Sequence, residues 1–211
     1  MRLKGLCSMR SFLLVVFIMS MTLNHASATN DAPDYKWSIT VYGGQYINND
    51  LEKFGTYFTK PKFYNVDILN LAVSREIHRF GKYASLEIEG EIGKYTTHRT
   101  GYIWHPEPVE FDGALDFRWR YFPWSEYVRT SLAIGDGISY VTERLLFEEY
   151  TPEGSRRTLD YVLCELSLGV PQLPHWDVVL RLHHRSGIFG VFPGDNKEGS
   201  NFICGGIKYS F

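Results

Sequence analysis

The sequence predicts an all-β protein, an eight-stranded antiparallel up-and-down transmembrane β-barrel. Three observations predict it: apolar and polar residues alternate through nearly the whole chain after residue 28, the connections between the alternating segments are short and long in turn, and the chain ends on an aromatic residue, Phe211. Alternation with a period of two residues is typical of a strand with one apolar and one polar face.

Composition narrows the class of protein further. With 211 residues the chain forms one domain or at most two. Its hydrophobic fraction of 44% and aromatic fraction of 16% supply enough apolar area to exclude an intrinsically disordered chain. A formal net charge of -2 argues against nucleic acid as a partner, because no positive field is available to hold phosphates.

The first 28 residues have the three parts of a secretory signal peptide. Arg2, Lys4 and Arg10 are basic, residues 12–21 are apolar apart from one serine, and Ala26-Ser27-Ala28 has the small residues of a cleavage site. The apolar run is shorter than the about 20 residues that span a bilayer. We expect a signal peptide over 1–28 and a barrel domain over 29–211, the alternative being an uncleaved amphipathic anchor.

Eight segments alternate as strands do. Near residue 115 the pattern is clearest, because Leu115, Phe117 and Trp119 alternate with Asp116 and Arg118. A helix would mix these apolar and charged residues on one surface. The predicted strands cover residues 35–46, 63–77, 84–97, 109–121, 127–141, 159–169, 176–186 and 201–211.

Short and long connections alternate strictly along the chain. The connections after the second, fourth and sixth strands cover only residues 78–83, 122–126 and 170–175, and the others are longer. This layout predicts tight turns at one end of a barrel and working loops at the other. In outer-membrane barrels the short turns face the periplasm, and an even strand count places both termini there.

Alternation alone does not say which face of the barrel is outside, and a soluble lipocalin-like barrel would show the same pattern. The apolar closing strand with its terminal aromatic Phe211 resembles the assembly signal of bacterial outer-membrane proteins. The polar face carries both signs of charge, as expected for pairs inside a narrow lumen. Aromatic residues near strand ends predict an interfacial girdle: Tyr35, Trp37, Tyr121, Trp124, Trp176 and Tyr209. We therefore expect a barrel in the bacterial outer membrane.

Two cysteines follow the signal peptide. Cys164 shares the parity of Val162 and Leu166, whereas Cys204 has the parity opposite to Ile203. Side chains on opposite sides of the wall do not converge on a disulfide. We predict two free thiols.

The seventh strand carries the most informative polar residues. Its apolar parity, which includes Leu180 and Leu182, ends in His184 and Ser186, whereas His183 lies on the lumen parity. Polar groups among acyl chains are costly. Residues i and i+2 on a strand point the same way, so the imidazole can act as the base for the hydroxyl. The alternative is that the strand ends in the lipid headgroup region, where both residues are hydrated and have no catalytic role.

The last 32 residues, LRLHHRSGIFGVFPGDNKEGSNFICGGIKYSF, resemble the C-terminal end of the PagL-type lipid A deacylases, or acyloxyacyl hydrolases. The shared features are the His-x-Ser on the penultimate strand, the Gly-rich loop, the Gly-Ser-Asn that opens the last strand and the aromatic end. The resemblance implies an eight-stranded outer-membrane barrel that hydrolyses the ester of the 3-hydroxyacyl chain at position 3 of lipid A. It implies lipopolysaccharide and outer-membrane lipids as partners, and neither a metal nor a cofactor.

Carried over to this chain, the resemblance makes Ser186 the nucleophile and His184 the base. The family has a glutamate that orients the histidine; here counting forward from the serine gives Glu198, and counting back from the C-terminus gives Asn201. Parity favours Asn201, with Glu198 in reserve.

Three further residues complete the predicted site. The family's asparagine after the serine is Gly187 here, so the backbone N–H groups of Gly187 and Gly190 become the candidate oxyanion donors. Arg185 either binds the phosphorylated glucosamine head or pairs with an acid in the lumen.

Two other functions stay open on the sequence: a non-catalytic small barrel for structure or surface interaction, and a periplasmic lipocalin-like carrier. The sequence also leaves open whether the barrel forms a homodimer.

Overall fold

The structure is a computed structural model that describes residues 35–47, 62–97, 107–148, 156–187 and 199–211. These residues form one closed barrel in which each strand pairs antiparallel with the next, and the last strand pairs with the first. The eight strands are β1 (Trp37–Ile47), β2 (Phe63–Phe80), β3 (Ala84–Thr97), β4 (Val109–Trp119), β5 (Arg129–Val141), β6 (Thr158–Gly169), β7 (Trp176–Ser186) and β8 (Gly199–Ser210). The predicted signal peptide, residues 1–28, lies outside the described residues.

The fold class and the number and order of strands are confirmed, and the strand ends differ by a few residues. The largest difference is that β2 continues to Phe80, three residues beyond its predicted end. Its pairing with β3 shifts between Glu76 and His78, and the ladder resumes after this irregularity. The extra residue breaks the alternation there, which is why the pattern alone ended the strand too early.

The outer wall of the barrel is apolar. Every strand contributes an exposed large hydrophobic residue to it, and one from each is Val41, Leu69, Ile88, Leu115, Ile134, Leu168, Leu180 and Ile207. A wall of this kind is stable against acyl chains rather than water. The predicted orientation, with the apolar parity outward, is therefore confirmed, and a carrier with an apolar cavity is excluded. Among the described residues, no helix is long and apolar enough to cross a bilayer.

The lumen is filled by charged side chains in contact. Arg181 lies near its centre and pairs with Glu89 at 2.6 Å and Glu165 at 2.5 Å. Glu165 also pairs with Arg118 at 2.9 Å and with Lys208. Ion pairs of this kind offset the cost of removing each charged group from water. The lumen is therefore a packed ionic core rather than an open channel.

The loop end of the lumen is filled by aromatic rings. After β5 a short 3-10 helix, Leu146–Glu148, places Phe147 inside the barrel mouth. The centroid of the Phe147 ring is 5.0 Å from that of Tyr46, 5.8 Å from Tyr95 and 6.0 Å from Phe202. We call Phe147 and these three rings the aromatic plug.

The two cysteines that follow the predicted signal peptide are free, as predicted. Cys164 is exposed on the outer wall and Cys204 is buried inside the barrel. Their opposite orientation follows from their opposite parity on β6 and β8.

Candidate active site on the outer wall

His184 and Ser186 lie near the loop end of β7, on the outward parity. Leu180 on the same parity is 54% exposed, whereas His184 is 8% exposed and Ser186 is 5% exposed. The two polar residues are thus on the outer side of the barrel wall and yet buried. Burying an imidazole and a hydroxyl costs free energy unless they form hydrogen bonds, so such a pair indicates a functional role.

The strand register fixes the neighbours of both residues. His184 lies opposite Val162 on β6 and Asn201 on β8. Ser186 lies opposite Asp160 on β6 and Gly199 on β8. Regular pairing continues to the end of β7, so His184 and Ser186 point the same way with Cα atoms roughly 6.5–7 Å apart.

Asn201 contacts the imidazole directly. Its Oδ1 is 2.7 Å from His184 Nδ1. With the amide oxygen as acceptor, Nδ1 carries the proton of the neutral ring and Nε2 carries the lone pair. The contact expected from parity between Asn201 and His184 is therefore present, and it holds the ring in the tautomer that a general base needs.

His184 Nε2 and Ser186 Oγ are the two atoms that would exchange a proton. Neither His184 Nε2 nor Ser186 Oγ makes a hydrogen bond within the part of the chain that the structure describes. They do not bond to each other either, so proton transfer requires a side-chain rotation that brings them together. Such contacts often tighten only when substrate binds.

Gly199 shapes the backbone beside Ser186. Its φ angle is +146°, a conformation that side chains rarely adopt. A Cβ at this position would also overlap the carbonyl oxygen of Arg185 and the Cα of Ser186. A glycine here lets β8 approach β7 closely at the candidate nucleophile.

Arg185 does not reach the outer surface. Its side chain is fully buried in the lumen, where it pairs with Glu110 at 2.9 Å and with Glu148 at 2.8 Å. Its Nε also donates to Ser139 Oγ at 2.8 Å. The expectation that Arg185 binds a phosphate is not met, and the alternative, an ion pair with a lumen acid, is present because the inward parity of Arg185 decides its partners.

Of the other predicted site residues, Gly187 is described by the structure and two are not. Gly187 is buried directly after β7. Gly190 and Glu198 lie outside the described residues, so the oxyanion donors and the reserve orienting residue stay predictions. His183 lies in the lumen as expected, with its Nδ1 3.4 Å from Glu91 Oε1 and 3.2 Å from Tyr42 Oη.

Sequence reasoning missed two acids on the outer wall. Asp160 lies opposite Ser186, and Asp136 on β5 is exposed on the same wall and interacts with Asp160. The sequence signal for these acids is a polar residue at a position where the alternation predicts an apolar one, as for His184. Only the register between β6 and β7 reveals that Asp160 is next to Ser186.

Comparison with known proteins places the fold but not the chemistry. No protein-family model matches the chain, and no curated protein matches it significantly. Among solved structures, the outer membrane enzyme PagL aligns with a TM-score of 0.52 at 10% identity, over 82% of this chain and 99% of PagL. Neisserial surface protein A aligns with a TM-score of 0.49 at 11% identity, over 83% of this chain and 96% of that one. The N-terminal barrel domain of Pseudomonas aeruginosa OprF gives 0.46 at 11% identity, over 84% and 98%.

Identities this low show a shared fold alone. With its apolar outer wall and charged lumen, the chain is an eight-stranded bacterial outer-membrane β-barrel. Barrels of this fold support more than one activity, so the fold alone does not assign the function.

Proposed function

We propose that the protein is an outer-membrane esterase in which Ser186 attacks an acyl ester and His184 acts as general base. The observation that carries the proposal is the 2.7 Å contact of Asn201 Oδ1 with His184 Nδ1 on the lipid-facing wall, which leaves Nε2 available to a hydroxyl two residues away. The resemblance of the last 32 residues to lipid A deacylases names the substrate: the 3-O-linked hydroxyacyl chain of lipid A.

The position of the pair suits a lipid ester. His184 and Ser186 lie near the loop end of β7, the end that faces the outer leaflet in barrels of this type. Below them, Leu180 and Leu182 continue the outward parity of the same strand toward the membrane interior. A lipid in the outer leaflet can place its acyl chains against this wall and its ester at the level of Ser186, without passing through the lumen.

The reaction proceeds in two steps. Ser186 Oγ attacks the ester carbonyl while His184 Nε2 takes its proton, and the imidazolium then protonates the sugar oxygen as the C–O bond breaks. An acyl-serine remains. His184 next takes a proton from water, the hydroxide attacks the acyl-serine, and the proton returns to Ser186 as the fatty acid leaves.

A non-catalytic barrel is the second candidate, and one observation favours it. His184 Nε2 and Ser186 Oγ make no hydrogen bond to each other in the described structure. If the barrel is not catalytic, His184 and Ser186 are polar residues at the level of the lipid headgroups. The outward Asp136 and Asp160 then belong to the same polar region of the wall.

Replacing Ser186 separates the two functions. The wild-type chain is expressed in a host with fully acylated lipid A, and the lipid is analysed by mass spectrometry. We expect the wild type to remove one hydroxyacyl chain and Ser186→Ala to remove none. Thr158→Ala, which deletes a hydroxyl at the outward parity of the neighbouring strand, is the matched control and should retain activity. An unchanged acylation pattern with the folded wild type, under growth conditions and in detergent, excludes the hydrolase.

A further inference from the structure

The lumen contains more acid than base. Eight carboxyl side chains are buried among the described residues on the lumen side: Glu87, Glu89, Glu91, Glu110, Asp112, Asp116, Glu148 and Glu165. Only five basic side chains are buried with them: Arg118, Arg181, His183, Arg185 and Lys208. An excess of negative charge in a low-dielectric interior is costly, so it requires bound protons or a bound cation.

Asp112 is the clearest sign of missing positive charge. Its side chain is 6% exposed, and neither carboxylate oxygen has a hydrogen-bond partner among the described residues. Ser139, which lies opposite Asp112 in the pairing of β4 with β5, donates its hydroxyl to Glu110 and accepts from Arg185. Asp112 thus lies inside the barrel as an acid without a hydrogen-bond partner in the part of the chain that the structure describes.

Two further donors converge on Asp112. Glu91 lies directly opposite it in the pairing of β3 with β4. His183 reaches the same place from β7, and one donor atom from each of the three residues lies within 4.8 Å of the others. All three residues are buried.

We propose that Glu91, Asp112 and His183 bind one divalent transition-metal ion in the lumen. Two carboxylate oxygens and an imidazole nitrogen are donors that Zn²⁺ and Mn²⁺ accept, with water completing the coordination. Donors bound at about 2.1 Å around a tetrahedral ion lie about 3.4 Å apart, so small side-chain rotations close the site.

The surroundings hold two of the three donors in place. Tyr42 donates to Glu91 Oε1 at 2.5 Å, and its hydroxyl is also 3.2 Å from His183 Nδ1. Arg181 contacts the other oxygen of Glu91 at 3.1 Å. Partners of this kind orient metal ligands and stabilise their charge. Asp112 has no such partner, which is consistent with the ion as its missing contact.

The ion has a structural role that is separate from the proposed hydrolysis. It joins β3, β4 and β7 across the lumen and offsets two negative charges. His183 faces inward and His184 outward, so the ion does not contact the candidate catalytic pair. The alternative way to neutralise Asp112 is a bound proton, and this alternative predicts no metal at all.

Metal content tests the proposal directly. The full barrel is refolded into detergent without metal, loaded with Zn²⁺ or Mn²⁺, freed of excess ion and measured by inductively coupled plasma mass spectrometry. We expect one equivalent per wild-type chain and at least a tenfold loss of affinity in Asp112→Asn. Asp116→Asn is the matched control, because Asp116 is on the same face of the same strand and is also buried without a partner, yet it lies outside the cluster. We expect Asp116→Asn to bind like the wild type.

Three outcomes overturn the proposal: no bound ion in the folded wild type, unchanged binding in Asp112→Asn, or an equal loss in Asp116→Asn. Heat-modifiable migration on a gel verifies that each variant is folded. If Asp112→Asn does not fold, the wild type loaded with Co²⁺ decides: the intense visible bands of a four- or five-coordinate ion support the site, and the spectrum of hydrated Co²⁺ contradicts it.

Discussion

Asn201 on β8 lies directly opposite His184 on β7, and its side-chain oxygen is 2.7 Å from the Nδ1 of that histidine. The contact fixes both the orientation and the tautomer of the ring. It joins the two strands at the level of the candidate nucleophile, and it depends on the antiparallel register of β7 and β8. Asn201 is therefore a positioning residue in the proposed reaction.

Replacing Asn201 tests this positioning role. We expect Asn201→Leu to lower kcat by roughly 10- to 1,000-fold with little change in KM. The imidazole is then no longer held in its Nδ1-protonated tautomer, whereas the lipid-binding wall stays intact. Asn201→Asp restores an acceptor and should recover activity. Its carboxylate holds a proton on the imidazole more strongly, so the acid limb of the pH–activity profile moves to higher pH.

The pH profile separates positioning from general damage to the barrel. A purely structural role for Asn201 would leave the profile of Asn201→Asp unmoved, and this result would contradict the prediction. Ile203→Val is the matched control, because Ile203 is the next outward residue of β8 and has no polar contact with the histidine. Its activity and pH profile should follow the wild type.

Glu165 contacts more cationic side chains than any other lumen acid that the structure describes. It pairs with Arg118, Arg181 and Lys208, and all four side chains are buried. We expect Glu165→Gln to lower the free energy of unfolding by about 3–5 kcal/mol, since it leaves buried cations short of a partner. The measurement is urea unfolding of the refolded barrel, followed by gel migration.

A surface pair supplies the control for Glu165. Glu107 pairs with Lys94 at 2.6 Å, and both side chains are partly exposed. Glu107→Gln should change the free energy of unfolding by less than about 1 kcal/mol, because water solvates the released lysine. Equal losses in the two variants would contradict the view of the lumen as a packed ionic core.

The orientation of the wall is tested with the two cysteines. Cys164 is exposed on the outer face and Cys204 is buried inside. In lipid vesicles we expect a lipid-soluble thiol reagent to modify Cys164 in the folded protein and Cys204 only after unfolding. Peptide mass spectrometry locates the label. Modification of Cys204 before Cys164 in the folded barrel would reverse the inferred orientation.

Most of the fold follows from the sequence because alternation is a local property. The apolar parity of each strand identified the outer wall, and the short connections identified the turns. The end of β2 was wrong by three residues, because the irregular pairing between Glu76 and His78 changes the parity within one strand. Local pattern cannot reveal a bulge that depends on the partner strand.

The site was predictable only in part. His184 and Ser186 stand out because they are polar on an apolar parity, and the same parity led to Asn201. The place of Asp160 beside Ser186 depends on the register between β6 and β7, which the sequence does not state. The partners of Arg185 likewise come from β4 and from the 3-10 helix, far away in the chain.

The aromatic plug bears on whether solutes can pass through the barrel. Phe147, packed against Tyr46, Tyr95 and Phe202, fills the loop end of the lumen with aromatic rings, and the ion pairs of Arg181 fill its centre. We therefore expect the folded barrel not to conduct small solutes across a membrane. A lipid substrate of the proposed site would instead arrive sideways, from within the plane of the bilayer.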